Sequence, residues 1–203
     1  MRLKQYITED TTSDINTIIN TLHTDCSDYF KHIRYGVKSF RGSKVMVMYK
    51  KIKPRKNRIP RDTPKEVHEY LDKEFKKAFG WNVRSEGVFA TADLDIAEDY
   101  GIPYYFYPSN GFKMVYNDKI EDLTLYLDDN GVIYKEGKKW VTTDGWQSKI
   151  DELDIVHEYK QGGPADINKA LQTFYEVMFK CKFYYIVDVD FVTEHFDEIY
   201  RDI

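Results

Sequence analysis

Glu176 opens the apolar run "YEVMF", and a carboxylate at the edge of a core-forming strand needs a reason to be there. Two other polar residues sit in comparable places. Arg41 follows the strand-like stretch "VKSF" and directly precedes Gly42, and Thr91 closes "GVFAT". The three supply a negative oxygen, a planar permanent cation and a small hydroxyl, all at strand ends. Such a set suits chemistry in which positive charge develops beside a fixed carboxylate. Taken singly, each has an ordinary reading: a solvated strand residue, a surface ion-pair member, and a strand-end hydroxyl or helix cap.

The elements that must position these residues can be read from periodicity and turn chemistry. Ser13 is a candidate N-cap for a helix whose Ile15, Ile18, Ile19, Leu22, Cys26 and Phe30 recur at three- and four-residue spacing. "VKSFRGSKVMVMYKKI" predicts two strands with a bend at Gly42, followed by the basic loop "PRKNRIPRD". Thr63, Pro64 and Glu66 form a capping-box signature, and Val67, Leu71, Phe75 and Phe79 mark the inner face of a helix that stops at Gly80. His68, on a helix face beside acids, reads as solvated. "GVFAT" predicts a strand and "ADLDIAEDYG" a short helix ending at Gly101. "PYYFYP" and "FKMVYN" predict strands joined by "SNG", and "KIEDLTLYL" a helix. Residues 128–145 read as turns, "QSKIDELDIVHEY" as either helix or strand, and "KQGGPADINKALQTF" as a loop with one or two helical turns. "YEVMF" and "KFYYIVDV" predict strands before an acidic tail. Early helices and mostly late strands point to a single α+β domain over residues 1–203.

Composition narrows the function classes. Apolar residues at 42% and charged residues at 32% fit a globular chain and are too apolar for a disordered one. No apolar run approaches the ~20 residues that span a bilayer, and "MRLKQYITED" lacks a signal peptide's apolar stretch, so no membrane partner is expected. The net charge of −4 argues against a general nucleic-acid binder. Eight Lys or Arg and no acid fall between Lys44 and Arg61, which reads first as a solvated basic face. The two cysteines, Cys26 and Cys181, form no disulfide framework or metal cluster, and Cys181 in its apolar run reads as a core residue. No Walker loop, dinucleotide-fold glycine fingerprint or metal-spaced histidine set is present.

In their order and setting, "FRG", "SEGVFATADLDIAEDYG" and "YEVMF" resemble the three-part pattern of mono-ADP-ribosyltransferases of the arginine, Ser-Thr-Ser and glutamate type. The resemblance spans about residues 40–187. Through "RSEGVFAT", "A..YG" and "E.M..C" the chain is also similar to uncharacterised proteins of large tailed bacteriophages. The family resemblance implies a split two-sheet α+β core with N-terminal helices and NAD, as substrate, in the cleft between the sheets. It makes Glu176 the catalytic carboxylate and places Arg41, Gly42, Ser85, Thr91 and Tyr100 at the NAD site, with Ala97 on the intervening helix. In that chemistry the carboxylate stabilises the ribose as it becomes cation-like, an interaction worth ~3 kcal/mol, or about a hundredfold in rate. Arg41 suits the diphosphate or ribose through paired hydrogen bonds. Arg55, Arg58 and Arg61 either help draw in the dinucleotide or stay a solvated face.

The pattern also departs from the family. Ala90-Thr91-Ala92 stands where the family has Ser-Thr-Ser, and Ser85 lies six residues before Thr91, a long reach along a strand. Phe174 stands where arginine-modifying enzymes carry Glu or Gln, which turns the expected acceptor from arginine toward another side chain, a nucleic acid or a small molecule. Residues 160–174, with Gly162, Gly163 and Pro164, fall where the family keeps its acceptor-recognition loop. The resemblance thus implies transfer of ADP-ribose from NAD to a host protein or nucleic acid, in the host bacterial cytoplasm or from a carried virion protein. The alternatives are NAD hydrolysis and a catalytically inactive version of the fold serving as a virion or interaction protein.

Overall fold

A computed structural model describes residues 11–58, 62–172 and 175–201. Helices α1 (Thr11–Asp25) and α2 (Ser27–His32) lead into strands β1 (Phe40–Ser43) and β2 (Tyr49–Ile52). Helices α3 (Lys65–Phe79) and α4 (Val83–Glu86), strand β3 (Val88–Ala90) and helix α5 (Leu94–Asp99) follow. Strands β4 (Ile102–Pro108) and β5 (Lys113–Tyr116) precede α6 (Leu123–Asp129), the hairpin β6 (Ile133–Glu136) and β7 (Lys139–Thr142), and α7 (Trp146–Leu153). The last elements are β8 (Lys160–Gly162), α8 (Ile167–Leu171), β9 (Val177–Lys180), β10 (Tyr184–Asp188), α9 (Val189–Glu194) and α10 (Phe196–Ile199).

The described strands form two four-stranded sheets, ordered β1-β4-β10-β2 and β3-β9-β5-β8, and the separate hairpin β6-β7. Every described strand pair is antiparallel, which fits an α+β chain. Helices and strands are interleaved along the chain rather than sorted into early and late halves. The two sheets meet at one seam: Phe40 and Thr91 exchange backbone hydrogen bonds of 2.6 and 3.0 Å, joining the start of β1 to the end of β3.

Alternation along β9 explains why its sequence looks continuously apolar. Val177 and Phe179 face a core shared with α1, α2 and the β4–β10 pair, while Met178 faces a second core under α3, α6 and α7. A strand buried on both faces needs apolar side chains at every position. Phe179 packs its ring against Phe106 at 4.9 Å and Phe112 at 5.6 Å, bringing both sheets into the first core. Helix α3 presents Val67, Leu71 and Phe75 to the second core at the expected spacing, with Phe79 half-buried, and ends in Gly80 at φ +78°.

Several local expectations change. Helix α1 already runs from Thr11, so Ser13 lies inside it rather than capping it. Pro64, not Thr63, precedes α3; Thr63 is buried and its hydroxyl meets Thr124 and Arg84 instead. Gly42 lies within β1, paired with Pro103, and the bend falls in the following residues 44–48. The segment "SNG" carries the chain from one sheet to the other, so β4 and β5 are not partners. Residues 128–145 contain the β6-β7 hairpin, and the acidic tail folds into α9 and α10. The expected acceptor loop begins as an edge strand, Gly162 pairing with Met114, and continues into α8. Phe174 and Arg61 lie outside the described residues.

Candidate active site

The seam between the sheets gathers the three strand-end residues. Beyond the pair Ala90–Val177, the next positions on the two antiparallel strands are Thr91 and Glu176. Arg41 follows Phe40, which is bridged to Thr91, and its Nη1 donates to the Phe89 carbonyl at 2.6 Å. The Arg41 guanidinium also lies 5.5 Å from the centre of the Tyr184 ring. Thr91 is buried, and its Oγ1 accepts from the Asp93 N–H at 3.1 Å, shaping the turn into α5. Asp93 then caps that helix, accepting from the N–H groups of Asp95 at 2.8 Å and Ile96 at 3.3 Å.

Helix α5 delivers Tyr100 to Glu176. Tyr100 ends the helix, and its hydroxyl donates to Glu176 Oε1 at 3.1 Å. Close contact with β1 fixes that position: a Cβ on Gly42 would stand 2.3 Å from the Ala97 carbonyl oxygen and 2.7 Å from Tyr100 Cβ. Gly42 is therefore where β1 and α5 touch, and it acts on the site through Tyr100. Ala97 is buried in the same contact.

Glu176 keeps some contact with solvent, but burial raises its carboxyl from the ordinary 4.5 to about 7. Arg84 pulls the other way, Asp122 adds to the rise, and the Tyr100 hydrogen bond and Arg58 oppose it. Desolvation is the larger influence because no described cation comes within ion-pair distance of the carboxylate. Its hydroxyl partner is affected in turn, as burial and the Glu176 charge push the Tyr100 phenol well above its usual value. Tyr159 lies within the field of the same charges, buried and edge-on to Phe75 at 5.0 Å.

Arg84 and Asp122 reach this neighbourhood without announcing themselves in the sequence. Asp72, buried on α3, accepts from the backbone N–H of Arg84 at 2.8 Å and of Ser85 at 3.4 Å, anchoring the start of α4. Arg84 is itself 8% exposed, with one nitrogen donating to Thr63 Oγ1 at 3.2 Å. Asp122 caps α6 by accepting from the Leu125 N–H at 2.9 Å. His68 is not solvated: it is buried, its Nε2 lies 3.1 Å from Ser85 Oγ, and burial lowers its pKa. Ser85 is thus engaged with His68 rather than with Glu176. Of the basic loop, Arg58 turns inward over the Phe89 ring at 4.5 Å, while Arg55 is exposed. Cys181 is half-buried against the first core, and burial pushes its thiol up to about 12, leaving it unreactive at neutral pH.

No protein-family model, curated protein or solved structure matches the chain. No helix among the described residues is long and apolar enough to cross a membrane, and no described group of His, Cys, Asp and Glu is arranged to hold a metal ion.

Proposed function

We propose that the chain is a mono-ADP-ribosyltransferase that uses Glu176 to cleave NAD and passes ADP-ribose to a macromolecular acceptor of the host. The observation that carries this reading is the part-buried Glu176 carboxyl, bonded to Tyr100 and placed at the seam that also holds Arg41 and Thr91. A carboxyl shifted by burial toward neutrality is the kind of group found where proton or charge balance matters to a reaction. The NAD ribose and its cationic nicotinamide would stand against Glu176, and the anionic diphosphate against Arg41. The bond from ribose C1′ to the nicotinamide nitrogen breaks, its electron pair leaves with neutral nicotinamide, and the ionised Glu176 stabilises the cation-like ribose. A lone pair of the acceptor forms the new bond at C1′ and the acceptor's proton is released. Tyr100 holds the carboxylate in place.

A second reading follows from how Arg41 and Thr91 are occupied. One guanidinium nitrogen of Arg41 is bonded to the Phe89 carbonyl, and Thr91 Oγ1 receives the Asp93 N–H, while Ala90 and Ala92 offer no hydroxyls. These contacts favour an inactive version of the fold serving as a virion or interaction protein. NAD labelled in its adenylate, incubated with the purified protein and host lysate, decides between them. Label on protein or nucleic acid, lost in Glu176→Gln, supports transfer, and free labelled ADP-ribose supports hydrolysis. Uncleaved NAD leaves the interaction role.

A further inference from the structure

Two arginines whose charges act on Glu176, Arg58 and Arg84, have no role in the proposed reaction. Arg58 and Arg41 share Phe89: the Arg58 guanidinium lies 4.5 Å over its ring and Arg41 Nη1 donates to its carbonyl. The Arg58 and Arg84 segments meet through the backbone, where the Arg58 N–H donates to the carbonyl of Ser85, the residue after Arg84, at 3.0 Å. Among the described residues, none of the three has a carboxylate within 4.0 Å. Arg84 is the most exposed to this deficit in electrostatic terms, since it is 8% accessible to solvent and its Nε has no hydrogen-bond partner. Burying a guanidinium without a counter-charge is costly, and packing a second and third beside it adds repulsion. The repulsion is felt by Arg58, whose pKa falls to about 10 through burial first and then through Arg84 and Arg41.

Glu176 does not discharge this cluster. It makes no ion pair with any of the three, and its own carboxyl is half-protonated near neutral pH. Asp72, the buried acid that anchors the Arg84 backbone, spends Oδ1 on backbone N–H groups. None of the three guanidinium groups is therefore met by a described carboxylate in direct contact, and planar guanidinium groups pair best with phosphate or carboxylate oxygens.

We infer that Arg58 and Arg84, on the loop after β2 and on α4, form an oxyanion site for a diphosphate beside the Arg41 contact expected of the family. This deepens the reading of the same cleft, because it adds to Arg41, which faces the diphosphate in that reading, two residues that no family pattern designates. It rests on that reading only for the identity of the nucleotide, since a diphosphate recognised by this pair binds whether or not NAD is cleaved.

The test is titration calorimetry of the full chain with inorganic pyrophosphate in low salt, repeated with ADP-ribose to distinguish a free diphosphate from a nucleotide-borne one. Arg58→Gln and Arg84→Lys are each expected to weaken pyrophosphate binding about tenfold or more, the effect of losing a charge-assisted pair of hydrogen bonds. Lys56→Gln, an exposed charge on the same loop, should leave it unchanged. Arg58 is half-exposed, so its variant remains informative even if Arg84→Lys fails to fold. Absence of pyrophosphate binding overturns the inference, as does an equal loss in Lys56→Gln, which would mean a general basic surface. Pyrophosphate binding without nicotinamide release would overturn the transferase reading alone, and nicotinamide release without pyrophosphate binding would overturn this site alone.

Discussion

Replacing Glu176 by Gln should make the protein more stable as pH rises. Gln keeps an oxygen to accept from Tyr100 and removes only the charge. In the fold the carboxyl ionises at about 7 rather than the ordinary 4.5. A raised value means the wild-type group contributes fully below pH 4.5 and loses that contribution as pH climbs through about 7. At about 1.4 kcal/mol for each pH unit between the two values, the ionised form costs about 3 to 4 kcal/mol. That is an upper figure, because Glu176 keeps some contact with water. Urea unfolding of both proteins at several values between pH 5 and pH 8 measures it, and all other titrating groups cancel in the difference. The stability gap, variant minus wild type, should grow by up to about 2 to 3 kcal/mol across that range, most steeply below pH 7. A gap that stays constant with pH would refute the claim that burial governs this carboxyl.

Gly42→Ala should destabilise the chain by at least 1 to 3 kcal/mol, the usual range for forcing bulk into a packed contact. The new methyl meets a backbone carbonyl at 2.3 Å, so α5 must shift and carry Tyr100 from Glu176; unchanged thermal unfolding would contradict this contact. Tyr100→Phe removes a hydrogen bond that holds the Glu176 pKa down, so the midpoint of any Glu176-dependent pH–rate profile should move up, and a downward move would reverse the assigned sign. Phe179→Ala, at the ring cluster joining the sheets, should cost about 3 to 5 kcal/mol by denaturant unfolding.

Glu176 could be singled out in the sequence because it breaks an apolar run, and Thr91 and Arg41 because strand ends before a helix or a glycine are conspicuous. Their gathering at one seam follows from strand pairing that no local pattern reveals: Phe40 and Thr91 are joined across a long sequence separation. The inner face of α3 was legible for the opposite reason, since its four-residue spacing is local. Arg84 and His68 were missed because arginine and histidine near acids are ordinarily solvated, and only the packing of α4 on α3 buries them. The β6-β7 hairpin was hidden behind its turn residues, as "DDNG" and "TTDGW" flank strands only four residues long. Thr63 shows how a strong capping signature yields to tertiary demand: its hydroxyl goes to Arg84, a buried cation with few other partners.

The rate of nicotinamide release from NAD, followed from pH 5.5 to pH 8.5 with host lysate present, tests the central claim most directly. The account predicts release that rises with pH through about 7, as the Glu176 carboxyl ionises, and that disappears in Glu176→Gln. Release by the Gln variant at the wild-type rate, or none from the wild type at any pH, would contradict it.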